Sequence, residues 1–247
     1  MRKVTLTMSW DDGSPSDMRL AELLSKYDIA ATFYIPQRNI EGLPVLSDSE
    51  IRSLSQAFEI GAHTIDHVRL SCLSKDQEHY QISNSKEWLE DITGNAVKGF
   101  CFPGGEYRPS SVESVKQSGY FYSRTTENFR NDIDSIYRMP TTLQLFNHKG
   151  HVLLFNMMKY EDSLRKISKY YPILFENNLL KRLEYILNFS LRNNLDYIHL
   201  WGHSWELDEC QQWNLLEDFF RIIYENRESI SFKTNYQSAL SLVEEKT

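Results

Sequence analysis

The sequence predicts an α/β fold built on a parallel sheet, and three observations support this prediction. Short apolar runs with strand periodicity alternate with helical segments along the chain. The connections are too short to hold a second domain, and no repeat or low-complexity segment interrupts them. Polar and ionisable residues directly follow several predicted strands, as in a βα barrel whose strand ends share one face. We therefore expect one domain over residues 1–247, its sheet open or closed into a barrel, with a helical insertion at about 148–193.

Strands and helices alternate regularly in the first half of the chain. Val4, Leu6 and Met8 alternate with polar residues, which is the period of a strand. A capping box that begins at Ser47 predicts the start of a helix. The predicted strands are residues 4–9, 30–35, 58–62, 97–102 and 120–125, and the predicted helices are residues 16–27, 47–56, 74–92 and 110–117.

The pattern is weaker in the second half of the chain. Residues 136–139 and 142–146 have the composition of strands, and residues 151–193 are mostly helical. We expect this helical segment to be a lid or an added structural layer, and we prefer the layer. The remaining predicted elements are a strand at 197–201, a helix at about 211–225 and a final helix from 236.

Composition disfavours several classes of partner. The 247 residues carry a net charge of −7, and an acidic surface repels nucleic acid and anionic lipid. No apolar span has membrane length, and no apolar segment follows Met1, Arg2 and Lys3. We therefore expect neither an integral membrane segment nor a secretory signal, and the cytoplasm is the default location. The three cysteines contain no CxxC pair and are expected to be buried thiols.

Carboxylates and histidines after the first and third predicted strands suggest a metal site. Asp11 and Asp12 are adjacent, and His63 and His67 are four residues apart, which on a helical turn puts both imidazoles on one side. Asp12 and the two histidines would leave coordination positions open for water and substrate. Zinc suits this set best, although cobalt, iron, manganese or nickel also fits. Asp11 is placed to take a proton from metal-bound water.

A second histidine pair cannot bind an ion in this way. His199 and His203 have the same spacing but lie along a predicted strand, where four residues span roughly 13 Å. His199 is expected to be a hydrogen-bonded interior residue, whereas His203 lies beyond the strand end and could protonate a leaving amine. Trp205 and Glu206 follow directly, and they either position a sugar or begin the next helix.

These residues resemble the polysaccharide deacetylases of the NodB-homology type, carbohydrate esterase family 4. Residues 10–13 are similar to the family's first motif, in which the first Asp is the catalytic base and the second a metal ligand. Residues 63–67 are similar to the second motif, with its two metal-binding histidines, and residues 200–203 to the fifth, whose histidine is the general acid. The resemblance implies a distorted (β/α) barrel of about seven parallel strands and a metal-dependent amidase that acts on N-acetylated sugars.

Two motifs of that family are altered or missing. Cys101 and Gly104 stand where the third motif carries an Arg and a Tyr, and the Arg normally pairs with the catalytic Asp. The backbone amides at Gly104 and Gly105 could still hold an oxyanion. The fourth motif has no convincing match, with Asp132 and Asp134 as candidates for its acidic part.

The leading interpretation is a cytoplasmic, metal-dependent deacetylase. Without an export signal, its expected substrate is a nucleotide- or lipid-linked N-acetylated sugar of surface-polysaccharide assembly. One alternative is hydrolysis of another C–N bond, in a formamide or a cyclic imide. The other is a metal-binding homologue without catalysis, but metal binding alone needs neither Asp11 nor His203.

Overall fold

The structure, a computed structural model, describes residues 3–245 as a curled sheet of parallel strands with helices around it. The strands in this range are β1 (Val4–Asp11), β2 (Thr32–Ile35), β3 (Glu59–Ala62), β4 (Gly99–Cys101), β5 (Tyr122–Arg124), β6 (Leu143–Gln144), β7 (Tyr197–Gly202) and β8 (Ile230–Lys233). The helices are α1 (Asp17–Lys26), α2 (Asp48–Leu54), α3 (Lys75–Thr93), α4 (Pro109–Gln117), α5 (Gly150–Met158), α6 (Ser163–Phe175), α7 (Leu179–Arg192), α8 (Ser204–Glu209), α9 (Trp213–Glu225) and α10 (Asn235–Glu244). The expected course of Met1 and Arg2 into the first strand lies outside the described residues, as do residues 246 and 247.

The strand order confirms the predicted distorted barrel. Seven parallel strands follow one another in the order β5-β4-β3-β2-β1-β7-β6 and curl into a half-barrel. β8, which was not predicted, pairs with residues 4–7 of β1, while β2 pairs with residues 9–11 along the same edge. β7 occupies the other edge of β1, so β1 is the central strand.

The two faces of β1 have different surroundings. Met8 and Trp10 are fully buried in the main apolar core with the helices. On the other face, Thr7 Oγ1 lies 2.6 Å from Nδ1 of His199 and Ser9 Oγ lies 2.9 Å from Nε2 of the same ring. Burial lowers the pKa of His199 well below its usual range, so the ring is neutral. His199 is thus the interior, hydrogen-bonded histidine that the sequence predicts.

Two expectations about local structure were wrong, and a third needs only an addition, since α9 confirms the helix predicted at about 211–225. Residues 136–139 do not form a strand, because Ile136–Arg138 is a 3₁₀ turn whose first amide groups are capped by the Ser135 hydroxyl. Cys72 and Cys210 are exposed, and only Cys101 is a buried thiol. The helix expected at about 211 is preceded by another, α8, which begins directly after His203.

The segment between β6 and β7 is helical, as predicted. α7 buries most of its apolar face, including Leu183 and Ile186, against the rest of the fold, so it does form an added layer. None of the helices within residues 3–245 combines the length and the apolar character needed to cross a membrane.

Candidate active site

A cleft with a volume of about 400 Å³ opens at the carboxyl ends of the strands. Seven of the nine predicted site residues line it, which agrees with the rule that βα-barrel sites collect at this end of the sheet. The predicted residues that line it are Asp11, Asp12, His63, His67, Gly104, His203 and Trp205.

Asp12 and the two histidines of the predicted metal site converge. Asp12 Oδ1 lies 3.0 Å from Nε2 of His67 and 3.6 Å from Nε2 of His63, and the three ligand atoms lie within 4.8 Å of one another. The Asp12 side chain is only 6% exposed. Burial raises the pKa of Asp12, but the contact with His67 and the charge of His203 outweigh burial and hold the pKa below its usual range.

The chemistry of these atoms fits a bound cation. His63 Nδ1 lies 2.9 Å from the carbonyl oxygen of Cys101, so this nitrogen carries the proton and donates it. Burial lowers the pKa of His63 to about 4, and the ring is therefore neutral near neutral pH. The lone pair of Nε2 then faces the carboxylate of Asp12, whose buried Oδ1 has no regular hydrogen-bond partner. A cation between these two acceptors, His63 Nε2 and Asp12 Oδ1, would stabilise both of them.

The two histidines do not lie on a helical turn, contrary to the prediction. They belong to the loop after β3, in which Thr64 and His67 adopt the left-handed backbone conformation, with φ of 67° and 54°. Gln81 of α3 holds this loop, because its Oε1 accepts hydrogen bonds from the backbone amides of Ile65 and Asp66, both at 3.0 Å. The rings still approach each other, with centroids 5.1 Å apart.

A second group of potential ligands overlaps the first but suits a metal less well. Asp11, His63 and Cys101 also lie close enough to share an ion. Burial raises the pKa of the Cys101 thiol well above its usual range, whereas metal ligation needs the thiolate. The guanidinium of Arg124, which contacts Asp11, would also repel a dication. The set with Asp12 is therefore the better site.

Arg124 is the functional residue that the sequence interpretation missed. This fully buried side chain on β5 donates from Nη2 to Asp11 Oδ1 and, at 3.2 Å, to Ser9 Oγ. Its guanidinium lies 5.2 Å from the ring of Tyr34 and 5.1 Å from that of Trp201. A charged residue inside the apolar strand predicted at 120–125 was the available signal, because a buried arginine needs a carboxylate partner.

His203 is held between two acidic side chains. Its Nδ1 lies 2.9 Å from Glu206 Oε2, and its Nε2 lies 3.8 Å from Asp12 Oδ2. Burial alone would lower the pKa of His203, but the hydrogen bond with Glu206 and the charge of Asp12 raise it to about 9. Trp205 stacks on the same ring and donates its indole N–H to Asp12 Oδ2 at 3.0 Å.

Trp205 and Glu206 lie in the first turn of the next helix, α8, and Trp205 also lines the cleft. Glu206 is 8% exposed and turns toward His203 rather than lining the cleft. It supplies the carboxylate that a histidine acid needs. Asp132 and Asp134, the candidates for the acidic part of the fourth motif, bind Arg130, are exposed and do not line the cleft.

The turn after β4 contributes one backbone group to the cleft. Gly104 and Gly105 both have positive φ, of 62° and 67°, which glycine tolerates best. Only Gly104 lines the cleft. The amide group of Gly105 donates to the carbonyl oxygen of Phe102 at 2.9 Å, so it is already paired.

The first part of the helical insertion forms one wall of the cleft. Val152 and Asn156 of α5 line it, together with Lys159 and Tyr160 just beyond that helix. The insertion is therefore an added layer at α7 but a wall of the site at α5.

Known proteins are similar to the first half of this chain in sequence and to nearly all of it in fold. Residues 1–123 match the family model described as polysaccharide deacetylase. A Bacillus subtilis protein assigned as a polysaccharide deacetylase is 25% identical over 122 residues, 49% of this chain and 44% of that protein. The peptidoglycan deacetylase of Helicobacter pylori is 28% identical over 119 residues, 48% of this chain and 39% of that protein. The chain thus matches less than half the length of either relative.

One solved structure extends the comparison to the remaining residues. It is a Mycobacterium smegmatis protein assigned to the polysaccharide deacetylases, with a TM-score of 0.71 at 14% identity. The match covers 99% of this chain and 92% of that chain. At this identity the likeness shows a common fold.

Proposed function

This chain is a divergent member of the polysaccharide deacetylase family, and from that premise we propose that it is a metal-dependent hydrolase that removes an acetyl group from an N-acetylated sugar. The observation that carries this proposal is the meeting of two sets of groups in one cleft. Asp12, His63 and His67 offer a cation site, while Asp11 and His203 offer a base and an acid beside it.

The donor set supports one divalent ion held by Asp12, His63 and His67. Two imidazoles and one carboxylate form an open three-ligand set, with zinc as the first candidate and cobalt, iron, manganese or nickel as others. When bound, such an ion supplies Lewis-acid chemistry that activates water and polarises a carbonyl oxygen.

Asp11 is proposed as the base and His203 as the acid. Asp11 lies next to Asp12 at the end of β1, but its carboxylate contacts Arg124 and the Cys101 thiol, 3.7 Å from Oδ2. The guanidinium of Arg124 holds this carboxylate in place beside the proposed metal ligands. His203 holds its proton near neutral pH and can donate it to the departing nitrogen, because an amide anion is a very poor leaving group.

The rest of the cleft supports recognition of a small acetylated group. The amide group of Gly104 is proposed as a donor to the carbonyl oxygen of the substrate. Trp205 offers an aromatic surface of the kind on which sugar rings stack. A volume of about 400 Å³ falls within the usual range of small-molecule sites.

The finer assignment of substrate stays a prediction. A nucleotide- or lipid-linked sugar of polysaccharide assembly, met in the cytoplasm, is the expected substrate. Hydrolysis of a formamide or a cyclic imide would use the same acid, base and metal ligands, and a homologue that only binds metal would turn over none of these compounds.

The proposal is tested by metal analysis together with a substrate screen. The purified chain should hold about one divalent ion per molecule and release acetate from at least one N-acetylated sugar, chosen from oligosaccharides, nucleotide sugars and lipid-linked sugars. His67→Ala should lose both the ion and the acetate release. His79→Ala, an exposed histidine on α3, is the matched control and should lose neither.

Two results would overturn the proposal. Hydrolysis of imides or formamides alone, with no acetate release from any sugar, would transfer the activity to another C–N bond. A metal-loaded protein that hydrolyses nothing in the screen would identify a binding homologue.

A further inference from the structure

A pair of helices beside the cleft carries an exposed apolar surface. Nine large hydrophobic side chains are exposed in the part of the chain that the structure describes, and five of them lie within residues 155–175. Single exposed residues of this kind are normal, but such a concentration marks an interaction site. The five are Phe155 at 65%, Met158 at 59%, Leu164 at 85%, Tyr171 at 57% and Phe175 at 81% exposed.

α6 carries apolar or aromatic side chains on two opposite faces. Leu164, Tyr171 and Phe175 are separated by seven and four residues, which places them on one face of the helix. Tyr170 and Ile173 are buried on the opposite face. The outer row therefore points away from the body of the protein.

α5 is apolar almost all round. Val152 and Asn156 line the cleft, Leu153 is buried, and Phe155 and Met158 are exposed. A helix with this composition is normally enclosed on all sides. It has nine residues, whereas about 20 are needed to cross a bilayer, so it can lie in a membrane surface but cannot span it.

The two helices touch, so their outer rows form one surface. A Cβ at Gly150 would lie 2.0 Å from the carbonyl oxygen of Leu174, which puts the start of α5 against the end of α6. We call the exposed side chains of α5 and α6 the outer face.

Charge distinguishes between the occupants that could cover the outer face. Residues 149–175 contain five Lys or Arg against two Asp or Glu, in a chain whose total charge is −7, although Lys166 is buried against Glu127 and Lys169 is half-buried. Lys149, Lys159 and Arg165 are exposed cations of this segment. A second copy docked on the outer face would bring a surface of the same net positive charge against it. An anionic lipid surface attracts these cations instead.

We propose that the outer face docks on an anionic lipid surface and brings the cleft to the membrane. Phe155 and Met158 would enter the interface while the cleft-lining side of the same helix faces the substrate. The acidic remainder of the chain would stay in water. This inference rests on the proposed function only where it names the substrate, since a cleft held at the lipid surface suits a lipid-linked acetylated sugar.

Vesicle co-sedimentation of the full chain tests the docking without any catalytic readout. The chain should bind phosphatidylcholine–phosphatidylglycerol vesicles and bind phosphatidylcholine vesicles more weakly. Phe155→Ser/Phe175→Ser should lower the partition coefficient by roughly tenfold or more, because two large apolar side chains no longer enter the interface. Lys149→Gln/Arg165→Gln should lower it by roughly tenfold on the anionic vesicles and much less on the neutral ones.

A matched control and a second readout separate docking from folding and catalysis. Tyr80→Ser/Tyr224→Ser removes two exposed aromatic rings outside the outer face and should leave vesicle binding unchanged. Phe155→Ser/Phe175→Ser should keep wild-type acetate release on a water-soluble substrate. Vesicle binding with no hydrolysis of any substrate would overturn the deacetylase proposal and leave docking standing.

The docking proposal fails on either of two results. The first is equal binding of the wild-type chain and Phe155→Ser/Phe175→Ser to anionic vesicles. The second is a dimer that these substitutions dissociate, in a protein that binds no vesicles, which would assign the outer face to a second copy of the chain.

Discussion

At the residue scale, the positive charge beside Asp11 comes from Arg124 on β5, which the sequence did not predict. Cys101 of β4 and Arg124 of β5 are direct register partners, so the two side chains reach the same carboxylate from neighbouring strands. A buried carboxylate is costly without a partner, and Arg124 supplies the charge that position 101 lacks. Arg124 can therefore balance the negative charge of Asp11, although the arginine of the family's third motif is missing.

Removing Arg124, and then placing an arginine at position 101 instead, tests the role of Arg124. Arg124→Ala should lower kcat by about 10²-fold and destabilise the fold by roughly 3–5 kcal/mol, because it leaves Asp11 buried and unpaired. Cys101→Arg/Arg124→Ala returns a guanidinium from the adjacent strand and should recover part of both losses. The checks are kcat and KM for acetate release, and urea unfolding. A single variant with wild-type kcat would contradict this role.

The two adjacent aspartates should separate metal binding from turnover. Asp11→Asn is expected to retain the ion and lose turnover by about 10²–10⁴-fold, because the general base is gone. Asp12→Asn is expected to lose both, because one of three metal ligands is weakened. Metal content and kcat are measured on the same preparations. Equal metal loss in the two variants would show that their roles are reversed or shared.

His203 and Glu206 should differ in the size of their effects. His203→Ala should keep its metal and lose about 10²–10⁴-fold in kcat, which is the usual contribution of a general acid. Glu206→Gln leaves the acid in place but removes the carboxylate that orients it, so a smaller loss is expected. Glu209→Gln, an exposed carboxylate at the end of the same helix, is the control. Acetate release under saturating substrate is the measurement.

At the element scale, the turn after β4 should tolerate substitution at one glycine and not at the other. Both positions have positive φ, so Gly104→Ala should cost about 1 kcal/mol of folding free energy. Gly105→Ala should cost roughly 1–3 kcal/mol more, because its Cβ would lie 1.8 Å from Oγ1 of Thr126. Urea unfolding of the two variants gives the comparison, and equal losses would mean that Thr126 moves aside freely.

Sequence patterns predicted these elements well where the signal is local. The capping box at Ser47 and the strand period of β1 depend on a few neighbouring residues, and both are present in the structure. The His63–His67 loop depends instead on Gln81, which lies on another element. A spacing of four residues fits a helical turn and a tight loop equally well, so the sequence could not distinguish them.

The site shows the same division between local and distant signals. Asp11, Asp12 and His203 were predicted from motifs that contain them and lie in one cleft, whereas the pairing of Arg124 with Asp11 joins residues 113 positions apart. The partner of His203 is close in sequence, but Glu206 faces it only because helix α8 begins directly after His203. Contacts between distant strands carry no short-range pattern.

At the scale of the whole molecule, metal binding should stabilise the fold. An ion that binds only the folded chain adds roughly 2.7 kcal/mol at a concentration about 100 times its Kd, which for this length raises Tm by about 5–10 °C. Zinc should therefore raise Tm of the chelator-treated wild type and leave His67→Ala unchanged. Thermal unfolding with and without the ion is the measurement, and equal shifts would place the ion elsewhere.

The central position of β1 has a consequence for synthesis in the cell. Thr7 meets His199 across the sheet, and 192 residues separate them in the chain. At about 5–20 residues per second, the ribosome needs roughly 10–40 s to deliver the strand that covers this edge of β1. Throughout that interval the apolar strand β1 has an unpaired edge, which is a condition that favours aggregation. β1 is thus synthesised long before its partner β7, so we expect slower elongation or a smaller chaperone supply to lower the yield of folded protein.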